Sequence, residues 1–131
     1  MKAQTSPVVA PILLIEDEPS VTAFLRAALE RHGYTVANAA SGADGLRLLS
    51  TGKYSGVISD IRMPGTVNGA EVHAWIQKNR PELCARIILI SGDTANSETQ
   101  AFLAQSGTPC IEKPFRVQQL MSIVEKTFGK P

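Results

Sequence analysis

The feature that most constrains this chain is a regular alternation of short apolar runs with helix-period segments, with no hairpin signal between any two runs. Ile12-Leu13-Leu14-Ile15 is apolar without alternation, the pattern of a strand covered on both faces. Val21, Phe24, Leu25, Ala28 and Leu29 then fall at helical spacing, and His32-Gly33 closes that stripe. Tyr34 to Asn38 reads as a half-polar second strand. Gly42 to Ser50, with Ala43, Leu46 and Leu49 at helical spacing, reads as a second helix that Thr51-Gly52 ends. Val57-Ile58 opens a third strand that runs into Asp60, and Val72, Trp75 and Ile76 mark a third helix stopped near Pro81. Arg86 to Ile90 is a second strongly apolar strand. Thr99, Phe102 and Leu103 outline a fourth helix ended by Gly107, and Pro109-Cys110-Ile111 is a short fifth strand. Val117, Leu120, Met121, Val124 and Phe128 stripe the last helix.

A short turn cannot return a chain to parallel register, so strands separated by helices are parallel. The expected fold class is α/β, a doubly wound five-stranded parallel sheet. The apolar first, third and fourth strands belong in its middle and the polar second and very short fifth at its edges, which is the flavodoxin-like order 2-1-3-4-5.

The chain's 131 residues suit one domain. Residues 1–10 carry turn formers without periodicity and are expected to form a loose arm, with the domain over 11–129 and nothing left for an output domain. A native-looking Met1 favours a complete chain, with excision from a longer hybrid kinase as the alternative. A net charge of +1 gives no basic field for gripping nucleic acid directly. The apolar run from Val8 to Ile15 is interrupted by Pro11 and ends at Glu16-Asp17-Glu18, well short of the ~20 residues of a membrane span, and no secretory signal precedes it. The expectation is a cytoplasmic protein that inserts into no membrane. Cys84 and Cys110 are isolated and read as buried small hydrophobes in a reducing compartment, with a reactive thiol as the lesser alternative.

In a sheet of this kind the ligand sits beyond the carboxyl ends of the strands. The first strand ends at Glu16-Asp17, the third at Asp60, the fourth at Ser91, and the fifth leads into Lys113-Pro114. Three carboxylates, a hydroxyl and an ammonium therefore converge on one cleft. Carboxylates about 4 Å apart repel by roughly 4 kcal/mol at an effective dielectric of 20, which raises one pKa or recruits a cation. An all-oxygen donor set without His or Cys points to Mg²⁺, or Mn²⁺ in its place.

These residues, from Ile12 to Phe128, resemble the receiver domain of two-component response regulators. Glu16-Asp17 matches the acidic pair, Asp60-Ile61-Arg62-Met63-Pro64 the phosphoacceptor motif, Ser91-Gly92 the switch hydroxyl and Lys113-Pro114 the lysine. The resemblance implies that Asp60 accepts a phosphoryl group from a phosphohistidine on a sensor histidine kinase or a histidine phosphotransfer protein. It implies that Asp17 binds the ion directly and Glu16 through water, that Asp60 and the backbone carbonyl of Arg62 complete the protein ligands, and that Lys113 and Ser91 hold phosphoryl oxygens. Gly92 would leave space for the group, and a cis Lys113-Pro114 bond is common in relatives.

Each residue alone also has a plainer reading: Asp17 as a helix cap, Asp60 as a strand-end turn residue, Ser91 as a loop cap, Lys113 as a solvated side chain. His32 suits a helix dipole better than phosphate chemistry, His73 lies outside the cleft, and Trp75 reads as packing. The chain also departs from the family. Cys110 stands where relatives usually carry an aromatic ring that swings on phosphorylation, which bears on coupling from Ser91 to the output face. The loop Gly65-Thr66-Val67-Asn68-Gly69 is one residue longer than the commonest form. Arg62 and Asp93 flank the mouth of the site and are expected either to pair as a gate on dephosphorylation or to be two solvated side chains.

The reading that results is a stand-alone response regulator, a phosphoacceptor signalling domain and not a turnover enzyme, which acts on a downstream protein target by conformational change; dimerisation through its last helices is left open. The alternatives are a receiver-like scaffold that works without phosphorylation and a small aspartyl-phosphate phosphatase, the latter opposed by Arg62 at the position of a second catalytic aspartate. A flavodoxin-like cofactor binder is opposed by Glu16-Asp17-Glu18, which would repel a phosphate after the first strand.

Overall fold

A computed structural model describes residues 10–62, 67–93 and 95–131. Five strands, β1 (Ile12–Ile15), β2 (Val36–Ala39), β3 (Gly56–Asp60), β4 (Ile87–Ser91) and β5 (Cys110–Glu112), alternate with five helices. The helices are α1 (Pro19–Arg31), α2 (Gly42–Thr51), α3 (Gly69–Asn79), α4 (Ser97–Ser106) and α5 (Val117–Phe128), and a short 3-10 turn, Pro81–Leu83, follows α3. All strand pairs are parallel, in the order β2-β1-β3-β4-β5. The fold class and strand order expected from the alternation are those observed.

Side chains of successive strand residues point to opposite faces. Ile12, Leu14, Ile58, Ile88 and Ile90 pack on one face with Leu25 and Leu29 of α1 and Leu120 and Val124 of α5. Leu13, Ile15, Val57, Ile87 and Leu89 pack on the other with Leu49 of α2 and Val72 and Ile76 of α3. The unbroken apolar runs are thus the consequence of burial on both sides, and β1, β3 and β4 are buried along their whole length.

The helix ends follow local chemistry. Pro19 starts α1, where a missing N–H costs nothing. Ser41 Oγ accepts from the Asp44 amide at 3.1 Å, and Asn68 and Glu71 close a reciprocal capping box on α3. Gly107, at φ +66°, ends α4 in the left-handed conformation.

Several details differ from the sequence expectation. β2 begins at Val36, because Tyr34 turns its ring into the core and donates its hydroxyl to the Gly129 carbonyl at 2.6 Å. α3 begins at Gly69, ahead of its first apolar stripe residue, because the capping box sets its start. Cys84 and Cys110 are half-buried and not fully interior. Trp75 packs partly against the second core, and His32 places Nδ1 2.8 Å from the Ala28 carbonyl at the end of α1. The loose arm falls almost wholly outside the described residues, as do Met63 and Pro64 and the first part of the lengthened loop. No helix among the described residues is long and apolar enough to cross a membrane.

Candidate functional site

Register decides which strand ends meet. Ile15 pairs with Ser59, Asp60 with Ile90, and Ser91 with Glu112, so Glu16, Asp60, Ser91 and Lys113 line up across four adjacent strands. The Lys113 amide extends the ladder by donating to the Ser91 carbonyl at 2.8 Å.

Glu16 and Asp60 are buried, Asp17 is half-buried, and one carboxylate oxygen of each lies within 4.8 Å of the others. Lys113 Nζ donates to Asp60 Oδ2 at 2.9 Å and to Glu18 Oε1 at 3.3 Å, and stands 3.5 Å from Glu16 Oε1. Asp60 Oδ1 accepts from the Arg62 amide at 3.3 Å. Burial pushes Glu16 up to about 7, and the negative charge of Asp60 adds to that. The Glu18 amide, which donates to Glu16 Oε2 at 3.1 Å, and the Lys113 ammonium offset only part of the effect. Burial alone would lower the Lys113 pKa, but the hydrogen bond to Asp60 and the charges of Asp60 and Glu16 hold it above the ordinary lysine range. The Lys113–Pro114 bond is cis.

The donor set suits a hard divalent cation. Every donor is an oxygen, three acids face one ammonium, and Glu16 Oε1 is buried with no hydrogen-bond partner. An ion or its water shell would satisfy that atom.

Ser91 is buried at the end of β4, and its Oγ accepts from the Asp93 amide at 3.1 Å. A Cβ added at Gly92 would meet nothing nearer than Lys113 Cδ at 3.9 Å, so this side of the cleft is open. Asp17 caps nothing: Glu18 is the N-cap of α1, and no side chain bonds there. The anticipated ion pair between Arg62 and Asp93 is not formed. Both side chains are exposed, where water solvates each charge at least as well as the other would, and only their backbone amides bond into the site. Cys110 sits on edge strand β5 against the second core, and burial with the charges of Glu112 and Asp60 pushes its thiol up to about 11. That keeps it protonated and opposes the reactive-thiol alternative.

One participant escapes the sequence reading. Glu18 bonds Lys113 across 95 positions of sequence. Its signal was present as a third acid in a row, fixed at the strand–helix junction by Pro19. A surface cavity of about 500 Å³ opens beside this pair, lined by Glu18, Val21, Phe24, Gly92, Lys113 and Phe115.

Comparison with known proteins agrees with this geometry. The family model for the response regulator receiver domain matches residues 12–125. The transcriptional regulatory protein TcrA of Mycobacterium tuberculosis is 31% identical over 111 residues, which cover 85% of this chain and 43% of TcrA. Protein PilH of Pseudomonas aeruginosa is 28% identical over 115 residues, 88% of this chain and 94% of PilH. The chain thus spans less than half of TcrA and nearly all of PilH. The crystal structure of the response regulator TrrA from Thermotoga maritima, in complex with Mg²⁺-BeF, superposes with a TM-score of 0.78 at 31% identity, covering 91% of this chain and 99% of that one. With the strand order, the acidic cluster and the strand-end lysine already in place, the match over 12–125 settles the family: this chain belongs to the response regulator receiver domains.

Proposed function

We propose that this receiver accepts a phosphoryl group on Asp60 from a phosphohistidine of a sensor kinase or phosphotransfer protein, in a Mg²⁺-dependent reaction, and signals in the cytoplasm by protein contact. The observation that carries this reading is the 2.9 Å bond from Lys113 Nζ to Asp60 Oδ2 at the edge of the three-carboxylate cluster. A buried carboxylate held by an ammonium and flanked by two more acids is costly for stability alone, which supports a role in phosphoryl chemistry.

Asp60 supplies the attacking oxygen. Its bond to phosphorus forms as the bond between phosphorus and the donor imidazole nitrogen breaks, and the ring, already protonated on its other nitrogen, leaves as neutral imidazole with the electron pair of the broken bond. The Arg62 amide on Oδ1 and Lys113 on Oδ2 fix the carboxylate before attack. Lys113 then gives one N–H to a phosphoryl oxygen, and Ser91 turns its hydroxyl from the Asp93 amide toward another. Glu16, Asp17, Asp60 and the Arg62 backbone carbonyl would hold the metal ion, which screens the repulsion between the acid cluster and the incoming phosphoryl group. Cys110 is too small to follow the serine by swinging a ring, so the output face formed by α4, β5 and α5 responds through other contacts.

The test is intact mass after incubation with Mg²⁺ and acetyl phosphate. Wild type gains the mass of one phosphoryl group and Asp60→Ala gains none. Unlabelled wild type would favour the scaffold alternative, whose one supporting observation is Cys110, and label retained in Asp60→Ala would place the acceptor elsewhere.

A further inference from the structure

Glu18 stands outside the acid cluster, yet it holds the same lysine. An ammonium has three N–H donors, and those of Lys113 face three carboxylates: Asp60 at 2.9 Å, Glu18 at 3.3 Å and Glu16 at 3.5 Å. Only the first two are hydrogen bonds, since Glu16 Oε1 has no hydrogen-bond partner, and a phosphoryl oxygen drawing on either committed donor competes with its carboxylate. Asp60 must stay as the acceptor, and the Glu16 side chain is buried at 1% exposure, whereas that of Glu18 is 57% exposed and can swing into water. Glu18 also lines the cavity that opens beside Lys113, so its charge faces whatever enters there.

We infer that Glu18 is a specificity-determining residue for the phosphodonor: it competes with the phosphoryl group for the Lys113 ammonium, and it repels donors in proportion to their negative charge. This rests on the phosphoacceptor reading above. A dianionic small donor must overcome both effects. A phosphoryl group carried on nitrogen, with a lower net charge, meets less of the second. Glu18 is a positioning residue in this scheme, acting on Lys113 and on the local field. Its own backbone anchors, the amide bond to Glu16 and the carbonyl that receives the first turn of α1, do not depend on the side-chain charge.

The experiment compares initial rates of phosphorylation, read by intact mass, with acetyl phosphate, a dianion near neutrality, and with phosphoramidate, a zwitterion of lower net charge. Wild type, Glu18→Gln and Glu18→Asp are measured at low and at physiological salt. In Glu18→Gln the acetyl phosphate rate should rise about three-fold more than the phosphoramidate rate, and that difference should shrink as salt is added. Glu18→Asp should keep the wild-type ratio. Equal acceleration with both donors, or an unchanged ratio in labelled protein, overturns the role of Glu18 and leaves the acceptor role of Asp60 standing. A wild type that takes label from neither donor removes the acceptor role, and the inference with it.

Discussion

Lys113 answers for three carboxylates at once, and the consequences of removing it separate its electrostatic role from simple packing. Its ammonium lies within 3.5 Å of Glu16, Glu18 and Asp60. A positive charge at that distance opposes any cation held by the same acids. Lys113→Met should therefore bind Mg²⁺ about tenfold more tightly, about 1.4 kcal/mol, by isothermal titration. The metal-free variant should at the same time unfold at lower denaturant, because Asp60 and Glu16 lose their counter-charge in a buried setting. Unchanged Mg²⁺ affinity would show that the lysine's charge is not felt at the cluster. Glu16, Asp17, Asp60, Ser91 and Lys113 were all readable from the chain because each stands at a strand end, a position fixed by hydrophobic periodicity. Glu18 was not, since the direction of one side chain at a strand–helix junction leaves no periodic trace. The Arg62–Asp93 pairing failed for the opposite reason: adjacency at the mouth of a cleft does not bring two hydrated charges together.

At the level of elements, α4 is the least anchored helix of the described structure, with Thr99 its one buried residue. Part of what holds it is His73 of α3, buried, with its ring edge-to-face against Phe102 at 5.5 Å and Nε2 3.1 Å from Thr108 Oγ1 at the entry to β5. Burial lowers the His73 pKa, so the folded state prefers the neutral ring. A depressed histidine pKa contributes stability that is present above the unfolded value of about 6.5 and is lost as pH falls through the folded value. Urea unfolding at about pH 7.5 and about pH 5.5 should show a steeper loss for wild type than for His73→Gln, with the difference confined to the acid side of about 6.5. Parallel losses would mean that His73 titrates alike in the folded and unfolded chain. The sequence placed α4 from only Thr99, Phe102 and Leu103, and it placed His73 outside the cleft. What it could not supply was the contact among α3, α4 and β5, which depends on how two helices lean on one sheet face. The starts of β2 and α3 were missed by local chemistry that periodicity does not record: a tyrosine reaching the C-terminal glycine and a capping box ahead of the stripe.

For the molecule as a whole, the strand order is what turns scattered charges into a site. Only with β1 and β4 flanking β3 do Glu16, Asp60 and Ser91 fall side by side, and β5 at the edge adds Lys113 to the row. The same convergence works against the fold in the absence of a cation, because three acids share one corner and Glu16 Oε1 is left buried without a hydrogen bond. Ion binding at this corner would therefore be linked to folding. A ligand that binds only the folded state stabilises it by RT ln(1 + [L]/Kd), about 2.7 kcal/mol at a hundredfold excess over Kd. For a domain of this size that is a rise in Tm of roughly 8–15 °C on adding Mg²⁺. Asp17→Asn should lose most of this rise, since a donor is gone, yet the metal-free variant should melt above metal-free wild type, since one of the mutually repelling charges is gone as well. The two effects have opposite signs, so a general loss of stability cannot imitate them. An Asp17→Asn protein that responds to Mg²⁺ as wild type does would move the ion away from this corner and leave the three acids without their cation.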